Sequence, residues 1–264
     1  MKRPMQIELR RVSCGYLGKA IVKDISLVVR SGDLLCLLGP NGVGKTTLFK
    51  SILQLQPLLS GDILLDGEDI RSWSRRRFAL RVGYVAQAHT PPFAFKVIDV
   101  VAMGRAAHIG AFASPSPRDI AIAEDVLAAI GLQHLQDAVY TRISGGERQM
   151  VLIARALAQQ PGFLFMDEPT ANLDYGNQVK VLTHILSLTK RQGLGVVMTT
   201  HNPNDALLYA STVAVMGPSG RFITGSPRQI ITKELLEGVY GVRVRMIPIG
   251  NQISICIPSH DVPR

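Results

Sequence analysis

Apolar and polar residues alternate at Ile7 and Leu9 and again, beyond a turn, at Ile25, Leu27 and Val29. That period of two predicts antiparallel strands at the start of the chain. A short apolar run over residues 33–38 predicts a buried strand, and residues 46–55 read as the helix that follows it. Residues 61–65 and 82–85 look like further strands. From about residue 93 to residue 160 the character changes to helix after helix. Ser116-Pro117-Arg118-Asp119 predicts one helix start, with Ser116 as N-cap, proline in the first turn and an acid three residues after the cap. Ile120, Ala123, Leu127 and Ile130 then recur at helical spacing until Gly131 ends the run. Strand character returns at 163–166 and 196–200 with a helix between them, which predicts a parallel sheet covered by helices. Near the end, Val242, Val244 and Met246, then Ile253, Ile255 and Ile257, alternate with polar residues around Gly250-Asn251, a pair suited to a tight hairpin turn.

Composition narrows the class. At 264 residues the chain can bury a sizeable core, as one large domain or two small ones. Apolar residues make up 47%, yet no stretch approaches the roughly 18 apolar residues of a membrane span. The first residues, Met1 to Glu8, lack the apolar core of a secretory leader, so a cytoplasmic placement is expected, with any membrane contact made through a partner. Cys14, Cys36 and Cys256 are scattered without metal-type spacing, which argues against a disulfide framework or a zinc site. A net charge of +9 raises the question of nucleic acid. However, the densest basic segment (Arg71, Arg75, Arg76, Arg77, Arg81) has no interleaved aromatics, and a solvated helix face is expected instead. A basic surface near anionic lipid heads is a weaker alternative.

Three motifs carry the chemistry. Gly39-Pro40-Asn41-Gly42-Val43-Gly44-Lys45-Thr46-Thr47 lies between a buried strand and a helix. There glycines let backbone N–H groups surround a β-phosphate, the lysine reaches the β and γ phosphates, and the following hydroxyl takes Mg²⁺. Asp167 and Glu168 end an apolar strand, where the first carboxylate can hold Mg²⁺ and the second can polarise an attacking water. Ser144-Gly145-Gly146-Glu147 opens a strong helical pattern. Alone it is equally an ordinary serine cap or an anion site, but its Arg148-Gln149 flank and its place just upstream of the carboxylates favour a nucleotide site. Tyr16 is either an adenine-stacking ring or a core tyrosine. Gln87 is either a site glutamine or a loop amide, and His201 either reaches the γ-phosphate or is a surface histidine.

With these residues assembled, the chain resembles the ATP-binding subunit of an ABC transporter over nearly its whole length. The resemblance implies an α/β P-loop NTPase core with a parallel sheet, an antiparallel β subdomain and a helical subdomain. It places the nucleotide-binding core and β subdomain at 1–87 and 161–220, the helical signature subdomain at 88–160, and a C-terminal helix and β-hairpin at 221–264. It implies Tyr16 against adenine, Gly39 to Thr47 as Walker A, and Ser144 to Glu147 as the signature. It further implies Asp167 and Glu168 as Walker B with its base, Asp174 as the D-loop acid and His201 as the switch histidine. Gln87 is implied as the Q-loop residue, which joins Thr46 and Asp167 at Mg²⁺. Ile143 for the usual leucine and Glu147 for the usual glutamine are mild departures. ATP and Mg²⁺ are the implied cofactors.

Met103-Gly104-Arg105, His108-Ile109-Gly110, Phe112, Ser114-Pro115-Ser116 and Tyr240-Gly241-Val242-Arg243-Val244 are similar to importers of iron-siderophores, haem, vitamin B12 and related chelates. Zinc and manganese importers share part of that pattern. The resemblance implies a bacterial or archaeal homodimer bound to two membrane-spanning permease subunits on the cytoplasmic face of the inner membrane. A substrate-binding protein acts indirectly, and nucleic acid is not a partner. An oxyanion importer, a soluble ABC ATPase without a transport role and a non-catalytic binding module are the alternatives. Around Phe93 and Phe95 the chain either offers a groove for a permease helix or buries both rings, and Arg105 is expected to face that partner.

Overall fold

The computed structural model describes residues 5–86, 94–110, 113–250 and 253–259. In chain order these form β1 (Gln6–Tyr16), β2 (Lys19–Arg30), β3 (Leu34–Leu38), α1 (Lys45–Ile52), β4 (Ser60–Leu65), β5 (Glu68–Asp69), α2 (Arg75–Ala79), β6 (Val82–Val85) and α3 (Val97–Ala102). There follow α4 (Pro117–Ala129), α5 (Gly145–Ala158), β7 (Phe163–Met166), α6 (Tyr175–Gln192), β8 (Gly195–Thr200) and α7 (Pro203–Tyr209). The last elements are β9 (Thr212–Met216), β10 (Phe222–Gly225), α8 (Pro227–Ile230), α9 (Lys233–Tyr240), β11 (Val244–Ile249) and β12 (Ile253–Pro258). Two compact units divide the chain: Met1–Arg71 with Gly195–Arg264, and Ser72–Leu194. Gln87, Pro91, Pro92, Phe93, Phe112 and Asn251 lie outside the described residues.

In the first unit, β2, β1, β4 and β5 form an antiparallel sheet in that order. Ile7 faces Val29 and Leu9 faces Leu27, the register that the alternation predicts. Slipping β2 by one residue would expose Val22, Ile25, Leu27 and Val29, now all buried. At roughly 1.5–3 kcal/mol for each large apolar side chain, burial fixes that register. In the same unit β10, β9, β3 and β8 lie side by side, with β3 parallel to both β8 and β9. All five residues of β3 and all six of β8 are buried, as strands covered on both faces must be. The helix after β3 stops at Ile52, earlier than its pattern predicts. Gln54 adopts a left-handed φ of 57° and donates its side chain to the Ile70 carbonyl, and that long-range tie ends the helix. β11 and β12 pair as the predicted hairpin, with Met246 opposite Cys256.

In the second unit β6 and β7 pair in parallel, and α3, α4 and α5 pack together with α6 against α5. Ser116 caps α4 as its sequence predicts: its hydroxyl accepts from the Asp119 N–H, and Asp119 accepts from the Ser116 N–H at 3.0 Å. Ala123 and Leu127 are fully buried, and Gly131 follows the helix with φ 77°. Arg75, Arg76 and Arg77 are exposed on α2, as a solvated face requires, but two of them are anchored. Arg76 donates to the Ala107 carbonyl at 3.0 Å, and the Arg77 guanidinium lies 3.9 Å from the centre of the Trp73 ring.

One expectation is overturned here. Arg105 does not face outward. It is 6% exposed, pairs with Asp119 at 3.0 Å and donates to the Ala158 carbonyl at 2.8 Å and to Gln160 Oε1 at 3.1 Å. The last turn of α5 leaves carbonyls without helical partners, and a buried guanidinium satisfies them. Gly104 brings the chain so close to α5 that a Cβ there would meet the Arg155 carbonyl at 1.9 Å. Phe95, by contrast, is 43% exposed.

Candidate active site

The phosphate loop leaves β3 at Gly39, where a Cβ would sit 2.5 Å from the Met216 carbonyl. Gly44 has φ 111°, and a Cβ there would come within 2.7 Å of Val22, so both positions require glycine. Gly44 is also the N-cap of α1 and brings no side chain to cap the first-turn N–H groups, which suits that turn to phosphate oxygens. Lys45 is 6% exposed, and its Nζ donates to the Gly39 carbonyl at 2.7 Å and the Pro40 carbonyl at 3.2 Å. The loop thus holds its own ammonium at its mouth. Thr46 presents its residue to solvent and Thr47 is buried, while Asn41 and Gly42 are exposed.

Tyr16, the last residue of β1, is 47% exposed, which removes the core reading of its ring. His201 follows β8, and its carbonyl accepts from the Tyr240 hydroxyl at 3.2 Å. Around it, Thr200 Oγ1 donates to Asp205 at 2.8 Å and accepts from the Asn202 N–H at 3.1 Å, while Asn202 caps α7. Burial pushes the Asp205 carboxyl up; the Thr200 hydrogen bond and the His201 charge oppose that rise. The phosphate loop, Tyr16 and His201 therefore share the first unit.

The second unit holds the carboxylates. All of β7 is buried, and Asp167, 9% exposed, extends it by donating its N–H to the Val85 carbonyl at 3.0 Å. The nearby Tyr84 phenol is pushed up first by burial and then by the Asp167 charge. Glu168 has φ 47°, a left-handed conformation that a non-glycine residue adopts at some cost. β7 ends at Met166, so the left-handed turn falls on the second of the two acids that follow it.

Ser144 caps α5 through a reciprocal box: Glu147 N–H donates to Ser144 Oγ at 3.2 Å and Ser144 N–H donates to Glu147 Oε2 at 2.8 Å. The Ser144 hydroxyl first and the Ser144 N–H second, together with the His134 and Lys180 charges, hold the Glu147 carboxyl below its ordinary range. Asp174 caps α6, accepting from Asn177 N–H at 2.9 Å and Asn177 Nδ2 at 2.7 Å. The same Asn177 packs so tightly on Gly146 that a Cβ there would lie 2.4 Å from it. Asn177 thus joins Ser144–Glu147 to Asp174. Its place three residues after an acidic N-cap was the only sequence signal for it.

These features are the parts of an ATP-hydrolysing cassette. Residues 22–171 match the ABC transporter family. The chain belongs to that family. The chain is 32% identical to the ferric enterobactin transport ATP-binding protein FepC of Escherichia coli K12, over 90% of this chain and 88% of that one. It is 36% identical to the molybdate import ATP-binding protein MolC of Haemophilus influenzae, over 83% and 81%. A solved ABC transporter described as of the metal-chelate type, in an inward-facing conformation, superimposes with a TM-score of 0.86 at 30% identity, covering 97% of this chain and 98% of that one. This ABC ATPase has, among its described residues, no helix long and apolar enough to cross a membrane.

Proposed function

We propose that this ABC ATPase powers import of a metal chelate, such as an iron-siderophore, haem or cobalamin, through two partner permease subunits fed by a substrate-binding protein. The observation that carries the reading is the likeness to the metal-chelate type transporter over 97% of the chain. The likeness to FepC supports it. The likeness to MolC favours a second reading, import of an oxyanion. On either reading the protein sits peripherally on the cytoplasmic face of the inner membrane.

In the reaction, Lys45 and the loop N–H groups bind the β and γ phosphates, and Tyr16 stacks on adenine. Thr46, Asp167 and Gln87 hold Mg²⁺, which when bound supplies positive charge to the phosphate oxygens. One hydroxyl, one carboxylate and one amide suit a small, hard cation that takes most of its oxygens from nucleotide and water. Glu168 accepts a proton from the attacking water, and His201 contacts the γ-phosphate. Ser144, Gly145, Gly146 and Glu147 of a second copy, with its Asp174, complete each site, so the working form is a homodimer.

Reconstitution with the permease and binding protein, followed by uptake assays, tests the cargo. Uptake of an iron chelate, haem or cobalamin supports the first reading, and molybdate uptake without chelate uptake sinks it. The composite site has its own test. Ser144→Arg places bulk and charge where the partner's γ-phosphate would lie and should abolish ATP-dependent dimerisation in light scattering. A fully active monomer would defeat the homodimer.

A further inference from the structure

The C-terminal segment meets the chain at His201 and again three residues on, at Asn204. Tyr240, the last residue of α9, donates its hydroxyl to the His201 carbonyl at 3.2 Å, and the Gly39 backbone lies near the same phenol. Burial pushes the ionisation of this phenol far up, so it remains a donor at any working pH. Beyond His201, Asn204 in α7 pairs with the backbone of β12: its Nδ2 donates to the Cys256 carbonyl at 3.0 Å, and the Cys256 N–H donates to its Oδ1 at 2.8 Å. An amide matched to both groups of one backbone residue is held as firmly as a ladder pair. All of these residues lie in the first unit.

His201 stands between the end of β8 at Thr200 and the start of α7 at Pro203, outside both elements. Its carbonyl has no place in a strand ladder or a helix. The imidazole direction follows from the backbone that carries it, and that backbone is held by the local Asn202–Thr200 bond and, from farther along the chain, by Tyr240. We propose that Tyr240 and Asn204 are positioning residues, through which residues 233–258 hold the His201 backbone where its imidazole meets the γ-phosphate. The proposal rests on the reading of His201 given above.

Tyr240→Phe removes one oxygen and keeps the buried ring. In the full-length ATPase it should lower kcat about 5- to 10-fold, the size expected for one lost hydrogen bond at a reacting centre. ATP KM should stay within about twofold, because the phosphate loop supplies most of the affinity. Asn204→Ala should act in the same direction, and both variants should melt near the wild-type temperature. Added to His201→Ala, Tyr240→Phe should cause no further loss in residual phosphate release, since its effect passes through the histidine. Wild-type turnover in both single variants would overturn the proposal. So would a Tyr240→Phe effect confined to KM, which would trace it to Gly39, or an undiminished effect in the His201→Ala background. Wild-type turnover in His201→Ala is a separate failure: it removes the histidine from the reaction and the proposal falls with it.

Discussion

Replacing Glu168 by glutamine should lower ATP turnover by a factor on the order of 10² or more while leaving nucleotide binding intact, the result expected for loss of a general base. Glutamine keeps the length and hydrogen-bonding reach of the side chain but cannot take a proton from water. It also tolerates the left-handed turn at φ 47° that follows the strand, so the neighbouring Asp167 keeps its buried place. Radiolabelled phosphate release measures the loss, and filter binding measures the retained affinity. With ATP present the variant should accumulate as the closed dimer in light scattering, because opening waits on hydrolysis. Lys45→Ala should give the opposite pattern, losing binding first, since its ammonium is held at the mouth of the loop by the Gly39 and Pro40 carbonyls. Near-normal turnover in the glutamine variant would remove Glu168 from its role.

Arg105→Leu should destabilise the second unit by about 3 kcal/mol, the scale for breaking a buried pair and stranding its partners. The substitution strips Asp119 of its cation and leaves the buried Ala158 carbonyl without its donor, while the exposed Gln160 can turn to water. Arg105→Lys should recover little of this, because an ammonium cannot reproduce the fork that reaches three acceptors. Acid sharpens the test. Asp119 is held down to about 2, first by the Ser116 hydroxyl and then by Arg105. A folded value below the unfolded one, near 3.9, means this stabilisation is complete above pH ~4 and fades as pH falls toward ~2. Arg105→Leu should narrow that window, so urea unfolding at pH 7 and at pH 3 should differ less in the variant than in the wild type. An unchanged urea midpoint would show the buried pair to be energetically idle. In this segment Phe95 and Met103 are exposed and Arg105 is not.

Short-range chemistry was legible in the chain itself. The alternation in β1 and β2, the apolar runs of β3, β7 and β8, and the caps at Ser116 and Ser144 follow from periods of two and 3.6 and from hydroxyl-to-amide bonds three residues apart. The phosphate loop was legible for the same reason: its glycines, lysine and hydroxyls are contiguous, and a single strand-to-helix turn places them all. What pattern could not reach was any contact made across the chain. Arg105 has the composition of a surface residue, and only the arrival of the α5 C-terminus, whose carbonyls need a donor, draws it inward. Local pattern does not show the distant contacts of Asn177 and Tyr240, yet one ties Ser144–Glu147 to Asp174 and the other meets His201. Sequence alone therefore determined the elements and the turn that carries the phosphate loop, because both depend on residues a few positions apart. Tertiary structure decided which backbone groups are left wanting a partner, and so which distant side chains are recruited to supply one.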